Sequence, residues 1–225
     1  MPVIAIVGAG PGLGLSIARR FGTEGFEVAL ISRNPQKLDS LAAQLAEEGV
    51  EAAGFAADVS RPDQLQAALA AAADRFGPVD VLEYSPNDPV LASAMVTAVD
   101  ATAEDIQPQV DFYLYGAVAA VRQVLPGMLQ RGSGTLLFST GASSVRPRGG
   151  KFGSVGVAAA ALRNYALALN ADLAERGVHV AHVAIGAFIG TGPGTEPEII
   201  AEHYWDVYSK RDRPEIVYRA PSSTA

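Results

Sequence analysis

The fold is decided by Val3-Ile4-Ala5-Ile6-Val7-Gly8-Ala9-Gly10-Pro11-Gly12-Leu13-Gly14. Its first five residues are apolar and predict a short strand that is buried on both faces. Glycines at alternate positions follow, and the apolar-periodic segment Leu15 to Phe21 predicts a helix behind them. A strand, a glycine turn and a helix aim backbone N–H groups at a phosphate, and a Cβ in the turn would block its approach. The stretch therefore predicts a dinucleotide site, rather than a plain surface turn, that is made by Gly8, Gly10, Gly12, Leu13 and Gly14.

Composition bounds the class of protein. The chain has 225 residues, of which 49% are hydrophobic and 18% charged, so we expect one globular domain over residues 1–225. A net charge of −7 argues against a nucleic-acid partner. Cysteine is absent, which excludes disulfides and thiolate chemistry, and three scattered histidines predict no metal site. We find no run of membrane-spanning length and expect a cytoplasmic protein that acts on a small molecule.

The end of the second predicted strand, Glu27 to Ile31, bears on the choice of nucleotide. An acidic residue there accepts a hydrogen bond from the adenosine ribose 2′-hydroxyl in NAD-binding proteins of this kind. This chain has Ser32 and Arg33 at that point. A guanidinium suits a 2′-phosphate, so the sequence favours NADP(H) over NAD(H).

Strand and helix patterns alternate along the whole chain. Further strands are predicted at 50–57, 79–84, 135–139, 178–185 and 215–218. Helices are predicted at 35–48, 62–76, 104–130, 155–176 and 197–208. This alternation predicts parallel strands with right-handed crossovers. The fold class is therefore α/β, a single-domain Rossmann-type, doubly wound parallel sheet of about seven strands with helices on both faces.

The helix predicted over 155–176 is apolar at nearly every position, which is typical of a helix that is buried all round. One domain has difficulty burying such a helix completely. We therefore expect a homodimer or homotetramer that associates through the helices 104–130 and 155–176.

Several motifs, taken in order, resemble those of the short-chain dehydrogenase/reductase family over the whole chain. Gly8, Gly12 and Gly14 have its Gly-x3-Gly-x-Gly spacing. Asp58-Val59 resembles the pair that closes the third strand beside the adenine. Residues 159–165 resemble the body of the active-site helix, and 114–116 the end of an Asn-x-x-Gly motif. The resemblance implies NAD(P)-dependent reduction of a ketone or oxidation of an alcohol.

In that family a tyrosine protonates the carbonyl oxygen, and a lysine four residues later lowers the pKa of the phenol. This help is needed because an unperturbed phenol, with a pKa of ~10, is a poor acid–base catalyst at neutral pH. Here the corresponding positions are Val155 and Ala159, and the chain contains no Tyr-x3-Lys sequence. The family's asparagine position is Tyr113. Ser85 stands in the segment that replaces the family's Asn-Asn-Ala-Gly.

Other side chains are candidates for the missing chemistry. The family's catalytic serine aligns with Ser139 or Thr140, and Ser143 lies nearby; each is also compatible with a turn. Tyr113 is a candidate proton donor or a packing residue. Lys151 is interpreted as a solvated loop lysine, and His182, within a predicted strand, as a core or interface residue.

Three functions remain open. The first is an atypical NADP(H)-dependent oxidoreductase with a different proton source. The second is a non-catalytic NADP(H)-binding protein that acts as a sensor or partner subunit. The third is redox-neutral catalysis, such as isomerisation, on the same fold.

Overall fold

The computed structural model describes residues 1–221, and in it all seven strands belong to one parallel sheet. The strands are β1 (Val3–Val7), β2 (Glu27–Ser32), β3 (Ala52–Ala56), β4 (Val81–Tyr84), β5 (Gly134–Gly141), β6 (Val178–Ile185) and β7 (Glu215–Tyr218). Their spatial order is β3-β2-β1-β4-β5-β6-β7, so the order reverses between β1 and β4. Ligands bind beside such a reversal, at the carboxyl ends of the strands. The predicted fold class is confirmed.

Helices connect the strands and cover both faces of the sheet. They are α1 (Leu13–Gly22), α2 (Pro35–Glu47), α3 (Pro62–Phe76), α4 (Pro89–Ser93), α5 (Ala103–Val110), α6 (Gly116–Arg131), α7 (Gly153–Leu173) and α8 (Pro197–Lys210). Short 3-10 turns lie at 142–144, 150–152 and 174–176.

Alternate residues of each strand enter different halves of the core. Ala5 belongs to a cluster with residues of α3, α6 and α7, and we call this side of the sheet the α7 face. Ile4 and Ile6 belong to a second cluster with residues of α1, α2 and α8, and we call this side the α8 face. Because side chains alternate along a strand, neighbouring residues of β5 serve different faces.

The prediction of a single helix over 104–130 is wrong in one respect. The structure breaks it into α5, a π-helical turn at Asp111–Tyr115, and α6. The Tyr84 hydroxyl donates a buried hydrogen bond of 2.6 Å to the Phe112 carbonyl within that turn. This bond satisfies a carbonyl where the ordinary helical ladder is interrupted, and such insertions occur frequently at functional sites.

The expectation that helix 155–176 is buried all round is also wrong for the chain by itself. On α7, Leu162 and Ala166 are buried against the sheet, whereas Val157 is 52% exposed. Contrary to the sequence reading, the segment Gly150–Arg176 is long and apolar enough to cross a membrane by length and composition alone. Only 28% of its most apolar window is buried within the chain, because the sheet, α5 and the π-helical turn cover only part of the surface of α7.

Candidate functional site: a glycine-lined nucleotide pocket

A cavity of about 550 Å³ lies at the carboxyl ends of β1, β2 and β4, where the strand order reverses. Its floor is the turn between β1 and α1, and its rim comes from the loops after β2 and β4. The lining residues named by the sequence analysis are Gly8, Gly10, Gly12, Leu13, Gly14, Ser32, Arg33, Val59 and Ser85.

Two of the glycines are required by the packing of the turn. A Cβ on Gly8 would lie 2.7 Å from the Pro86 backbone, and its φ of +109° disfavours any other residue. A Cβ on Gly14 would lie 3.0 Å from the Ala9 Cα. Gly8 therefore lets the turn fit beside the loop after β4, and Gly14 lets the start of α1 pack against the backbone of the turn.

The other two glycines face open space. No atom lies within 4 Å of a Cβ built on Gly12, and the nearest atom to one on Gly10 is 3.9 Å away. Gly12 is also the N-cap of α1, so the positive end of that helix opens into the cavity. A bare backbone beside a helix N-terminus fits the pyrophosphate of a dinucleotide.

Arg33 stands at the rim of the cavity and is already paired with an acid. Its Nη1 atom lies 2.7 Å from Oδ2 of Asp88, and its side chain is 49% exposed. The other carboxylate oxygen of Asp88 accepts from the Val90 N–H and so caps α4. Burial acts to raise the pKa of Asp88, but the Val90 N–H and the Arg33 guanidinium together hold it below its usual value. Arg33 is thus held at the rim by a carboxylate that remains ionised.

Asp58 differs from the other predicted nucleotide-binding residues. Within the described chain it lies outside the cavity lining, and its carboxylate accepts from the N–H and hydroxyl of Ser60. Sequence reasoning did not assign to the site the lining residues Asn34, Lys37, Ala57, Pro86, Asn87, Pro89, Phe112 and Ile189. Lys37 lies in the first turn of α2, where its backbone N–H bonds the Asn34 cap. It adds a second cation near Arg33, a signal visible in the sequence as Asn-Pro-x-Lys.

Ser139 and Thr140, which the sequence left as alternatives, point to opposite sides of the sheet. The Ser139 hydroxyl lies on the α8 face, 2.6 Å from the Tyr204 hydroxyl, and donates to Glu83 at 3.1 Å. The Thr140 hydroxyl lies on the α7 face, 2.7 Å from Nε2 of His182. Since Val155 and Ala159 are on α7, Thr140 is the one that shares their side of the sheet.

Glu83 is a fully buried carboxyl in the centre of the sheet. The hydroxyls of Ser85 and Ser139 donate to its two oxygens at 2.9 and 3.1 Å. Burial raises its pKa to about 8, since desolvation outweighs the two hydrogen bonds. Glu83 is therefore mainly protonated at neutral pH. It lies two residues before Ser85, which lines the cavity.

The remaining candidates lie around the start of α7 and the π-helical turn. Val155 is half-buried and Ala159 is 2% exposed. Tyr113 is half-buried in the π-helical turn, where burial raises the pKa of its phenol and nearby Asp88 adds to the rise. Ser143 is half-buried in the turn after β5, and Lys151 is exposed. A raised pKa makes this phenol a weaker acid, and Tyr113 packs against the core on the α7 face, which fits the packing role that the sequence analysis also gave it.

Comparison with known proteins agrees with this geometry. The short chain dehydrogenase family profile matches residues 2–194. A putative ketoacyl reductase of Streptomyces coelicolor is 33% identical over 97% of this chain and 82% of its own length. The NADP-dependent 3-hydroxy acid dehydrogenase YdfG of Escherichia coli is 30% identical over 84% of this chain and 73% of its own length. The crystal structure of a short-chain dehydrogenase from Rhodopseudomonas palustris superimposes with a TM-score of 0.84 at 26% identity, covering 98% of this chain and 99% of the other. The chain belongs to the short-chain dehydrogenase family.

Proposed function

We propose that the protein is an atypical NADP(H)-dependent oxidoreductase that interconverts a carbonyl and an alcohol of a small molecule. The observation that carries this proposal is the cavity itself, with a bare glycine backbone on its floor and Arg33 on its rim. The NADP-dependent relative in Escherichia coli and the ketoacyl reductase relative support the same class of reaction.

Different residues of the cavity would hold different parts of the nucleotide. The open backbone at Gly10 and Gly12 would hold the pyrophosphate, because no Cβ stands in its way. Arg33 and Lys37 would hold the 2′-phosphate, with Arg33 exchanging Asp88 for the phosphate. NADP(H), when bound, supplies the hydride chemistry of the reaction. The chain must position the substrate and move one proton.

The proton source is the unusual part of the proposal. The resemblance of residues 159–165 to the active-site helix aligns Val155 and Ala159 with the family's tyrosine and lysine, and neither side chain carries an exchangeable proton. The proton that reaches the carbonyl oxygen during reduction therefore comes from another hydroxyl, such as that of Tyr113, from water or from a substrate group. Positioning alone contributes several kcal/mol to such reactions, so a changed relay lowers the rate without abolishing it.

A turnover assay tests the proposal. NADPH is incubated with ketones, aldehydes and 3-keto esters, and NADP+ with the matching alcohols, while the absorbance of reduced nicotinamide is followed. We expect turnover with at least one pair, and its loss in Gly8→Val, whose side chain meets the Pro86 backbone. Arg61→Ala, at an exposed helix N-cap, is the control and keeps the rate. Absence of turnover with every pair contradicts an oxidoreductase.

The second candidate function is that of a non-catalytic NADP(H)-binding protein, and it is favoured by Val155 and Ala159. Because Val155 and Ala159 carry no exchangeable proton, the protein would bind NADP(H) without catalysing a reaction. It would then act as a sensor or as a partner subunit. It would show a rise in melting temperature with NADPH and no turnover. Redox-neutral catalysis is the third candidate, and product analysis by NMR without net NADPH consumption would identify it.

Self-association is the last part of the proposal. The exposed apolar side of α7, including Val157, supports a homodimer or homotetramer built through α7 and the α5–α6 segment. Sedimentation velocity tests this. A single species of monomer mass at micromolar concentration contradicts it.

A further inference from the structure

A line of polar side chains crosses the α7 face from the helix to the end of β5. The Arg163 guanidinium makes two bonds to Glu215, with Nε–Oε1 at 2.6 Å and Nη2–Oε2 at 2.9 Å. Nδ1 of His182 lies 2.9 Å from Oε1 of Glu215, and its Nε2 lies 2.7 Å from the Thr140 hydroxyl. The Thr140 and Ser144 hydroxyls are 2.8 Å apart. Five side chains thus form one continuous hydrogen-bonded line.

Sheet register and helical spacing bring this line together. In the β6–β7 pair, His182 is the direct partner of Glu215. Thr140 lies two residues beyond the partner of His182 on β5, so both project to the same face. Arg163 lies four residues after Ala159 on α7, hence one turn further along the same side of that helix. A cation therefore lies one turn away from the family's lysine position.

The charges along the line fix the tautomer of His182. The hydrogen-bonded Arg163 holds the pKa of Glu215 below its ordinary value, so Glu215 is a carboxylate and accepts only. Nδ1 of His182 must then carry the hydrogen. Burial lowers the pKa of His182, although Glu215 acts against the decrease and Arg163 adds to it, so the ring is neutral at pH 7. The lone pair of Nε2 faces Thr140, as in a base that is oriented by a carboxylate.

Thr140 is 6% exposed and lies near the carboxyl end of β5, the edge of the sheet at which the glycine-lined cavity is found. In the β4–β5 pair, Tyr84 is the partner of Phe138, so Thr140 lies two residues beyond the last paired residue of β5, at the edge of the sheet where residues 85–87 line the cavity. The next turn, Ala142–Ser144, packs against α7. Thr140 is also one of the two residues that align with the family's catalytic serine, and Ser139 faces the other side of the sheet.

We propose, on the basis of the proposed oxidoreductase function, that Thr140 is the catalytic hydroxyl and that His182, oriented by Glu215 and Arg163, is the proton acceptor behind it. In alcohol oxidation the substrate O–H bond breaks and its proton passes to Oγ1 of Thr140, whose own proton passes to Nε2 of His182. The carbinol C–H bond loses its hydride, with two electrons, to NADP+. The products are a carbonyl compound, NADPH and a protonated His182, and reduction reverses each transfer.

A nitrogen-15 NMR titration of labelled histidine tests the arrangement without nucleotide. The chain has only His179, His182 and His203, so His182→Gln assigns the signals. We expect His182 to carry its hydrogen on Nδ1 and to shift at Nε2 in Thr140→Val. A hydrogen on Nε2 at neutral pH overturns the proposal.

The pH profile of alcohol oxidation separates catalysis from structure. We expect kcat/KM to rise with pH as His182 loses its proton, with a midpoint equal to the pKa of His182 measured by NMR. We call this rise the limb of the pH profile. Thr140→Val and His182→Gln should remove this limb and lower kcat/KM by about 100-fold, the lower range for general acid–base catalysis. Thr140→Ser should restore the limb. His179→Gln, a buried histidine at the far end of β6, is the control and leaves the limb in place.

The experiments give different results if only this inference fails and if the proposed function fails as well. If the wild type turns over and His182→Gln keeps the limb, the relay is wrong and the oxidoreductase assignment stands. If the wild type consumes no NADPH and reduces no NADP+, both are overturned. NADPH affinity and melting temperature of each variant show whether a loss arises from misfolding.

Discussion

Nη1 of Arg33 lies 2.7 Å from Oδ2 of Asp88, across the rim of the glycine-lined cavity. This ion pair joins the loop after β2 to the cap of α4, and so links the two loops that flank the cavity. A 2′-phosphate would take the guanidinium from Asp88, because a dianionic phosphate accepts two charge-assisted bonds where the carboxylate now accepts one.

Arg33→Ala should therefore weaken NADPH binding by at least about 10-fold and leave NADH binding nearly unchanged, since one charge-assisted bond contributes ~1.5–3 kcal/mol. Asp88→Asn should strengthen NADPH binding, because the competing negative charge is removed. Isothermal titration calorimetry with both nucleotides measures this, with Arg61→Ala as the control arginine. Equal losses for NADPH and NADH in Arg33→Ala would remove the 2′-phosphate assignment.

The raised pKa of Glu83 predicts a specific pH dependence of the free energy of unfolding. Its pKa in the folded protein, about 8, is above the ordinary value of 4.5, so the folded state holds a proton that the unfolded state releases. The resulting stability is complete below pH 4.5 and is lost as the pH rises through 8. Glu83→Gln keeps a neutral group and should flatten the free energy of unfolding between pH 5 and 9.

Urea unfolding across this pH range measures the difference between wild type and variant. At pH 9, Glu83→Gln should be more stable than the wild type by a few kcal/mol, on the order expected for a shift of this size. Glu47→Gln, an exposed glutamate of α2, should change neither curve. Parallel curves for wild type and Glu83→Gln would show that the carboxyl is ionised in the fold.

The π-helical turn predicts a contrast between two glycines of α6. A Cβ on Gly116 would collide with the Tyr84 hydroxyl and lie 2.7 Å from the Val59 carbonyl. Gly116→Ala should lower the free energy of unfolding by about 2 kcal/mol, as is typical of overpacking. Gly127→Ala, also within α6, meets only the flexible end of Arg131 at 3.2 Å and should be neutral or stabilising by up to ~1 kcal/mol. Thermal unfolding of both variants checks this, and equal effects would contradict the packing described.

Introducing a Tyr-x3-Lys pair on α7 tests the proposal that Val155 and Ala159 stand at the family's catalytic positions. Val155→Tyr with Ala159→Lys should raise carbonyl reduction by about 100-fold, because it supplies a phenol with a neighbouring cation. Ala159 is 2% exposed, so circular dichroism must first show that the double variant folds. Val155→Phe with Ala159→Met is the size-matched control without exchangeable protons. If the two double variants have the same rate, the substrate carbonyl does not lie beside α7.

The sequence was sufficient to predict the sheet and the glycine-lined turn beside the cavity. Buried parallel strands are continuous apolar runs, and the glycine turn after Val3–Val7 has few other uses, so both are local signals. Arg33 could be assigned to the rim for the same reason, since it directly follows β2. Its partner Asp88 could not, because 55 residues separate them in the chain.

Non-local contacts explain what the sequence analysis did not find. The π-helical turn depends on the Tyr84–Phe112 hydrogen bond, which joins residues 28 apart. The choice between Ser139 and Thr140 depends on the strand register, because a one-residue shift exchanges the two faces of the sheet. His182 is 0% exposed, as expected for a core residue. Its contact with Glu215, and the contact of Glu215 with Arg163, could not be predicted because these residues come from other elements.

Isothermal titration calorimetry of the wild-type protein with NADPH and NADH is the most direct test of the central claim, that the glycine-lined cavity holds NADP(H). The account predicts saturable binding of NADPH at one site per chain, tighter than NADH, and no NADPH heat for Gly8→Val. The absence of heat with either nucleotide, oxidised or reduced, from a correctly folded sample would contradict it.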